Sequence, residues 1–152
     1  MNEQSSARPK KASPQLDHYP HRDRDIVRFG DLDAQGHVNN AVFATYFETG
    51  RVAMFRNPDL SIGIENATYV LVRQEIDFLR ELRWPGEVIV GTALAELGRS
   101  SFTLAQALFS GEAAVAAGRA TLVMLDATTR RPRPLPAKAI AKLERWNYGG
   151  AL

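Results

Sequence analysis

There is no cysteine anywhere in the 152 residues of the chain. That absence excludes a disulfide framework, a thiol nucleophile, a zinc ribbon and any thiolate-held cluster. Long apolar runs are missing as well. No stretch reaches the ~18 consecutive apolar residues of a membrane span. The opening MNEQSSARPKKASPQLDHYP has no apolar core of the kind a signal peptide carries. A cytoplasmic protein that does not enter a membrane is the expectation. The Gly-x-Ser-x-Gly elbow of serine hydrolases is absent, and Gly30 and Gly36 have the wrong spacing for a dinucleotide loop. No repeat at a fixed period is visible.

What is present is ordinary in amount and uneven in arrangement. Hydrophobic residues make up 45% and charged residues 24%, as in a single soluble domain with room for a core. The net charge of +2 resolves into +1 over residues 1–25, −4 over 26–129 and +5 over 130–152. A mildly acidic body with a basic end lacks the basic face that nucleic-acid binding requires. His18 and His21 stand three apart with no ligand constellation around them, so no metal site is expected.

Residues 1–22 are polar and aperiodic, which predicts a flexible arm ahead of one domain over 23–152. Order is expected to begin near Arg24, with a short β-favouring run at Asp25–Phe29 and a turn-rich loop to Gly36. From about Asn39 to Phe55 the residues Val38, Ala41, Val42, Phe43, Tyr46, Phe47, Gly50, Ala53, Met54 and Phe55 make a helix apolar around most of its circumference. Such a helix is buried centrally. Asn39 or Asn40 suits its N-cap, and Asn57-Pro58 ends it. Tyr69–Arg83 then alternates, with Val70, Val72, Ile76, Phe78 and Leu82 on one face and Arg73, Glu75, Asp77, Glu81 and Arg83 on the other. Three more strands are predicted at Val88–Leu97, Ser100–Ser110 and Ala113–Leu125. Short connections suggest a four-stranded antiparallel meander. Pro136 opens a short terminal helix on which Ile140, Leu143 and Trp146 share a face. The class is α+β: a curved antiparallel sheet wrapped around a hydrophobic helix.

The densest polar cluster is Phe29-Gly30-Asp31-Leu32-Asp33-Ala34-Gln35-Gly36-His37-Val38-Asn39-Asn40, directly before the buried helix. The first backbone N–H groups of a helix have no intrahelical partner, and the macrodipole adds positive potential there. A carboxylate beside such an anion-favouring end is the equipment of acyl transfer. The same residues would also serve simply to shape a tight loop and cap the helix.

This run, with Tyr46-Phe47-Glu48 and Arg51 after it, resembles the signature of the acyl-CoA thioesterases of the hotdog fold typified by 4-hydroxybenzoyl-CoA thioesterase. Ile76-Asp77-Phe78-Leu79-Arg80, Pro85-Gly86-Glu87 and Gly98-Arg99-Ser100-Ser101-Phe102 extend the likeness over about residues 24–127. The resemblance implies that Asp33 is the catalytic carboxylate, as nucleophile or as base for a water. It implies that the backbone N–H at Asn40 polarises the thioester carbonyl, with His37 in a supporting role. Arg99, Ser100 and Ser101 correspond to the segment near the CoA phosphates and pantetheine. Glu48 and Phe43 are expected to shape the substrate site. The basic Arg130, Arg131 and Arg133 are a further candidate for CoA contact. No metal or redox cofactor is implied, since CoA is part of the substrate. The similar proteins are dimers or tetramers with the active site between subunits. A non-catalytic acyl-CoA-binding hotdog protein and a hotdog enoyl-thioester hydratase are the alternatives.

Overall fold

A computed structural model describes residues 13–59 and 62–150. After a 3-10 turn at Leu16–His18 come strand β1 (His21–Val27), a second 3-10 turn (Phe29–Asp31) and helix α1 (Asn40–Arg56). Strands β2 (Ala67–Phe78), β3 (Gly86–Leu97), β4 (Ser101–Ser110) and β5 (Ala113–Asp126) follow, then helix α2 (Ala137–Glu144). The strands form one antiparallel sheet in the order β1-β3-β4-β5-β2. Helix α1 packs against β1, β3 and β4. This is the α+β hotdog architecture anticipated from the sequence.

The central strand shows how the core is divided. Every residue of β4 from Phe102 to Phe109 is buried. Side chains alternate across a strand, so Phe102, Leu104 and Leu108 face the α1 side, where they join Met54, Phe47 and Tyr46. Ala105, Ala107 and Phe109 face the other side and pack with Tyr19 and Ala93. That second face is where the expected arm must be corrected. Residues 1–12 lie outside the described residues, but Leu16–His18 forms a turn and β1 begins at His21. Leu16 and Tyr19 cover the outer face together with Tyr148. A Cβ on Gly91 would lie 2.6 Å from Tyr19 Cγ, so the bare backbone of Gly91 makes the seat for that ring. Two anchors in a polar stretch give no periodicity to read.

Two further expectations are corrected. The meander has three strands, β3-β4-β5, because β2 pairs with β5 at the far edge and not with β3. The connection from Leu79 to Pro85 therefore crosses the end of the sheet, held by Leu79 and Arg80 N–H groups donating to the Val115 carbonyl at 2.9 and 3.1 Å. Its length is compatible with a hairpin, and its route is not readable from length. Second, β2 ends at Phe78, and its register against β5 shifts between Leu71 and Arg73. A bulge adds one residue and reverses the side-chain parity. Ala67 and Tyr69 before it and Ile76 after it all pack on the core. Val72 is 57% exposed, the opposite of its expected face.

Candidate active site

Between β1 and α1 the chain folds back on itself. Asp31 Oδ2 accepts from the Arg28 N–H and from the Tyr46 hydroxyl, both at 2.8 Å. Burial, reinforced by Asp31, holds the Tyr46 phenol above its ordinary pKa, so it remains a donor. The Asp31 carbonyl accepts from Asn39 N at 2.9 Å. Asp31 thereby holds the loop to the helix through its Oδ2 and its carbonyl.

Asp33 sits in the tight turn that follows. Its N–H donates to the His37 carbonyl at 2.8 Å, Gly36 N donates to the Asp33 carbonyl at 3.1 Å, and Leu32 bridges to Val38. Gly36 closes this turn at φ 77°, a left-handed conformation least costly for glycine. The carboxylate Oδ1 accepts from Gln35 N at 2.8 Å and His37 N at 3.3 Å. Its Oδ2 accepts no hydrogen bond among the described residues. One oxygen fixes the group and the other stays available.

The helix start lies next to this loop. Asn39 is the N-cap, its side chain accepting from Ala41 N at 2.9 Å, and its carbonyl accepts from Val42 N at 2.9 Å. The N–H of Asn40, the first helical residue, has no partner among the described residues. It is the open donor at the positive end of the helix dipole, worth roughly half a unit charge. An immobilised carboxylate beside an open N–H can attack, or activate water against, a carbonyl that the N–H polarises.

His37 contributes through its backbone to Asp33 and through its ring to two residues that sequence reasoning assigned to a strand face. His37 Nε2 lies 3.1 Å from Glu81 Oε2 and 2.7 Å from Arg83 Nη2, and Arg83 and Glu81 pair at 3.0 Å. Arginine only donates and carboxylate only accepts. The single Nε2 therefore bonds Arg83 when it carries no proton and Glu81 when it carries one. The crossing connection delivers both residues here, and the Leu82 carbonyl between them accepts from Val38 N at 2.8 Å. Only knowledge of that route would have found them.

The remaining sequence candidates lie elsewhere. Phe43 is 2% exposed and packs edge-on against Phe78, so it is a core residue and not a lining residue. Glu48 is exposed on α1 and borders a groove near Arg51. Arg99 and Ser100 lie in the β3–β4 turn and Ser101 opens β4; the Arg99 and Ser100 carbonyls accept from Leu135 N at 2.9 Å and Met124 N at 2.8 Å. That turn belongs with the far end of α1, since Met54, Phe102, Met124 and Leu135 share one cluster. It is not brought to Asp33 within the chain. Arg133 is committed to the Glu65 carbonyl at 2.9 Å, while Arg130 and Arg131 are exposed. His18 meets Tyr148, and His21 meets the Trp146 ring edge-on.

Comparison with known proteins bears on the fold and the family. A thioesterase of Thermus thermophilus, solved in complex with coenzyme A and zinc, is 35% identical with a TM-score of 0.76, covering 89% of this chain and 98% of that one. The PA5185 protein of Pseudomonas aeruginosa shares the fold at 24% identity and a TM-score of 0.82, over 91% of this chain and 99% of that one. The YsmA protein of Bacillus subtilis is 31% identical over 78 residues, 51% of this chain and 53% of that protein, so the match spans about half of that relative. The model of the thioesterase-like superfamily matches residues 27–143, from the last residue of β1 through the Asp33 loop, α1 and the sheet into α2. The chain belongs to the thioesterase-like superfamily.

Proposed function

We propose that the protein is an acyl-CoA thioesterase, splitting an acyl-CoA with water into a carboxylic acid and CoA. The observation that carries this reading is the free Oδ2 of Asp33 in the loop that is bonded to the start of α1, where the Asn40 N–H is open. The thioester oxygen accepts from that N–H, which stabilises it most as negative charge develops. Asp33 Oδ2 then either attacks the carbonyl carbon or takes a proton from an attacking water. In the first case an acyl–Asp33 anhydride forms, the C–S bond breaks, and water later splits the anhydride. In the second the water oxygen bonds directly to the carbonyl carbon. Both routes release CoA thiolate, which takes up a proton. His37 supports the site by donating its N–H to Asp33 Oδ1. The CoA complex of the Thermus relative supports CoA as the thiol. No step in this chemistry calls for a metal or redox cofactor.

Arg99, Ser100 and Ser101, with Arg130 and Arg131, would meet the CoA phosphates and pantetheine. They belong with the far end of α1, whose 17 residues span roughly 25 Å. A second copy of the chain would bring that end of one subunit to the Asp33 of another. The unpaired outer edge of β2, with exposed Leu71 and Val72, supports such a homodimer or a tetramer built from it. None of the helices among the described residues is long and apolar enough to cross a membrane, and we assign the protein to the cytoplasm.

The test is hydrolysis of an acyl-CoA panel from short aliphatic to aromatic, followed with a thiol reagent. With no cysteine in the chain, any thiol that appears is CoA. Turnover of at least one member is expected, and none across the panel sinks the reading. Single turnover in oxygen-18 water separates the two routes, because only attack by the carboxylate leaves the label in Asp33.

A further inference from the structure

A groove of about 480 Å³ lies between α1 and the beginning of β2, walled by Phe55, Ile62, Tyr69 and Leu71 and carrying Glu48 and Arg51. Arg51 is only 5% exposed. Among the described residues its guanidinium makes one hydrogen bond, Nη1 to Gln106 Oε1 at 2.9 Å, and no ion pair. Gln106 is itself fixed by donating to the Phe47 carbonyl at 2.9 Å and to Thr92 Oγ1 at 3.0 Å. Burial works against the charge of Arg51 and nearby Glu48 partly offsets this, so a buried guanidinium with one hydrogen bond gains from a further acceptor. The groove thus combines apolar walls with a rigidly held cation that has donors to spare.

Ala41, Ala44, Glu48, Val52 and Phe55 succeed one another at spacings of three and four, and so share one face of α1. The two alanines leave a low track from Asn40 into the groove. Arg51 lies about 16 Å along the helix from Asn40, at 1.5 Å per residue.

We infer that this groove is an acyl-tail subsite selective for chains that end in an oxygen acceptor, a hydroxyl or a carboxylate, which Arg51 recognises. The inference rests on the thioesterase reading and names the substrate class for that site. The acyl carbonyl sits on the Asn40 N–H, the chain follows the alanine track, and its far end accepts from Arg51. Glu48 at the mouth separates the two oxygen chemistries. A carboxylate there is repelled by it, whereas a hydroxyl donates to it while accepting from Arg51.

The experiment measures kcat/KM for straight-chain acyl-CoAs of increasing length, each ending in methyl, hydroxyl or carboxylate. At the length that reaches Arg51, an oxygen-ended chain should exceed its methyl-ended counterpart by about tenfold or more. Arg51→Met should bring that ratio close to one, with Arg51→Lys in between. The ratio is taken within one preparation, so a partly unfolded fraction cancels. Glu48→Gln, at an exposed position, should raise the carboxylate-to-hydroxyl ratio even if Arg51→Met does not fold. Wild-type preference for methyl ends overturns the inference while leaving the thioesterase reading intact. An end-group ratio unmoved in Arg51→Met, or a carboxylate-to-hydroxyl ratio unmoved in Glu48→Gln, overturns it likewise. Failure to hydrolyse any chain counts against the thioesterase reading itself.

Discussion

At its first residue α1 meets a loop of carboxylates and amides with an unpartnered N–H. In its last turns it is wedged among Phe102, Leu122, Met124, Leu135 and Leu143. The start holds its polar groups in place by hydrogen bonds yet leaves Asp33 Oδ2 and Asn40 N–H open. The far end buries one face in an apolar cluster to which α2 adds Ala139 and Leu143, while its other face borders the Arg51 groove. The contrast teaches that one element divides two tasks: apolar packing is concentrated where water is excluded, and open polar groups are held where water enters. Between them, the Arg51–Gln106–Thr92 network marks the boundary at which polar groups become buried.

That division can be broken by substitution. The largest effect is expected at the open end: Asp33→Asn keeps an oxygen to accept from Gln35 and His37 but loses the charge. Turnover should fall by about 10³-fold with the melting temperature little changed. Equal losses of stability and turnover would erase the distinction between the ends. At the far end, Met54→Ala should cost about 2–5 kcal/mol of unfolding free energy, read by urea denaturation. Activity per folded molecule should persist. A smaller loss, about 1.5–3 kcal/mol, is expected for Tyr46→Phe, because Tyr46 donates to the ionised Asp31. It should also slow turnover, since the loop keeps its tie through Asn39 N but loses the one to Tyr46. The smallest effect concerns His21, which packs on Trp146. Burial depresses its pKa below the ordinary 6.5, partly offset by Asp23. The unfolded chain therefore binds the proton more readily. Stability should be complete above pH 6.5 and decline as pH falls through that value toward the depressed one. His21→Gln should flatten that decline in a series of thermal melts.

Much of this was legible in the residues. Helix α1 begins at Asn40 with Asn39 as cap and ends at Arg56 before Asn57-Pro58, because capping and proline chemistry are local. Strands β3, β4 and β5 are joined by short turns and fall within a few residues of the expected ranges. What could not be read depends on contacts distant in sequence. Tyr19 looks like one aromatic in a polar stretch until Gly91 is placed under it. Val72 looks inward until the bulge turns it out. Phe43 resembles a lining residue, but which side of an all-round apolar helix meets the sheet is a tertiary fact. At the site, the run from Phe29 to Asn40 stood out by its density of polar residues and the family resemblance picked Asp33 and Asn40 within it, whereas Glu81 and Arg83 arrive from over forty positions away.

The crossing of Leu79–Pro85 past the sheet end has a consequence for how the protein tolerates change. A hairpin between β2 and β3 would leave a surface turn free to lengthen or shorten. Here the segment acts as a measured spacer, since its Leu82 carbonyl must arrive opposite Val38 N while Leu79 and Arg80 are pinned to Val115. Insertions and deletions in it would slide the floor beneath the Asp33 loop. Its length is thus part of what positions the candidate site, although it lies more than thirty residues along the chain from Asn40.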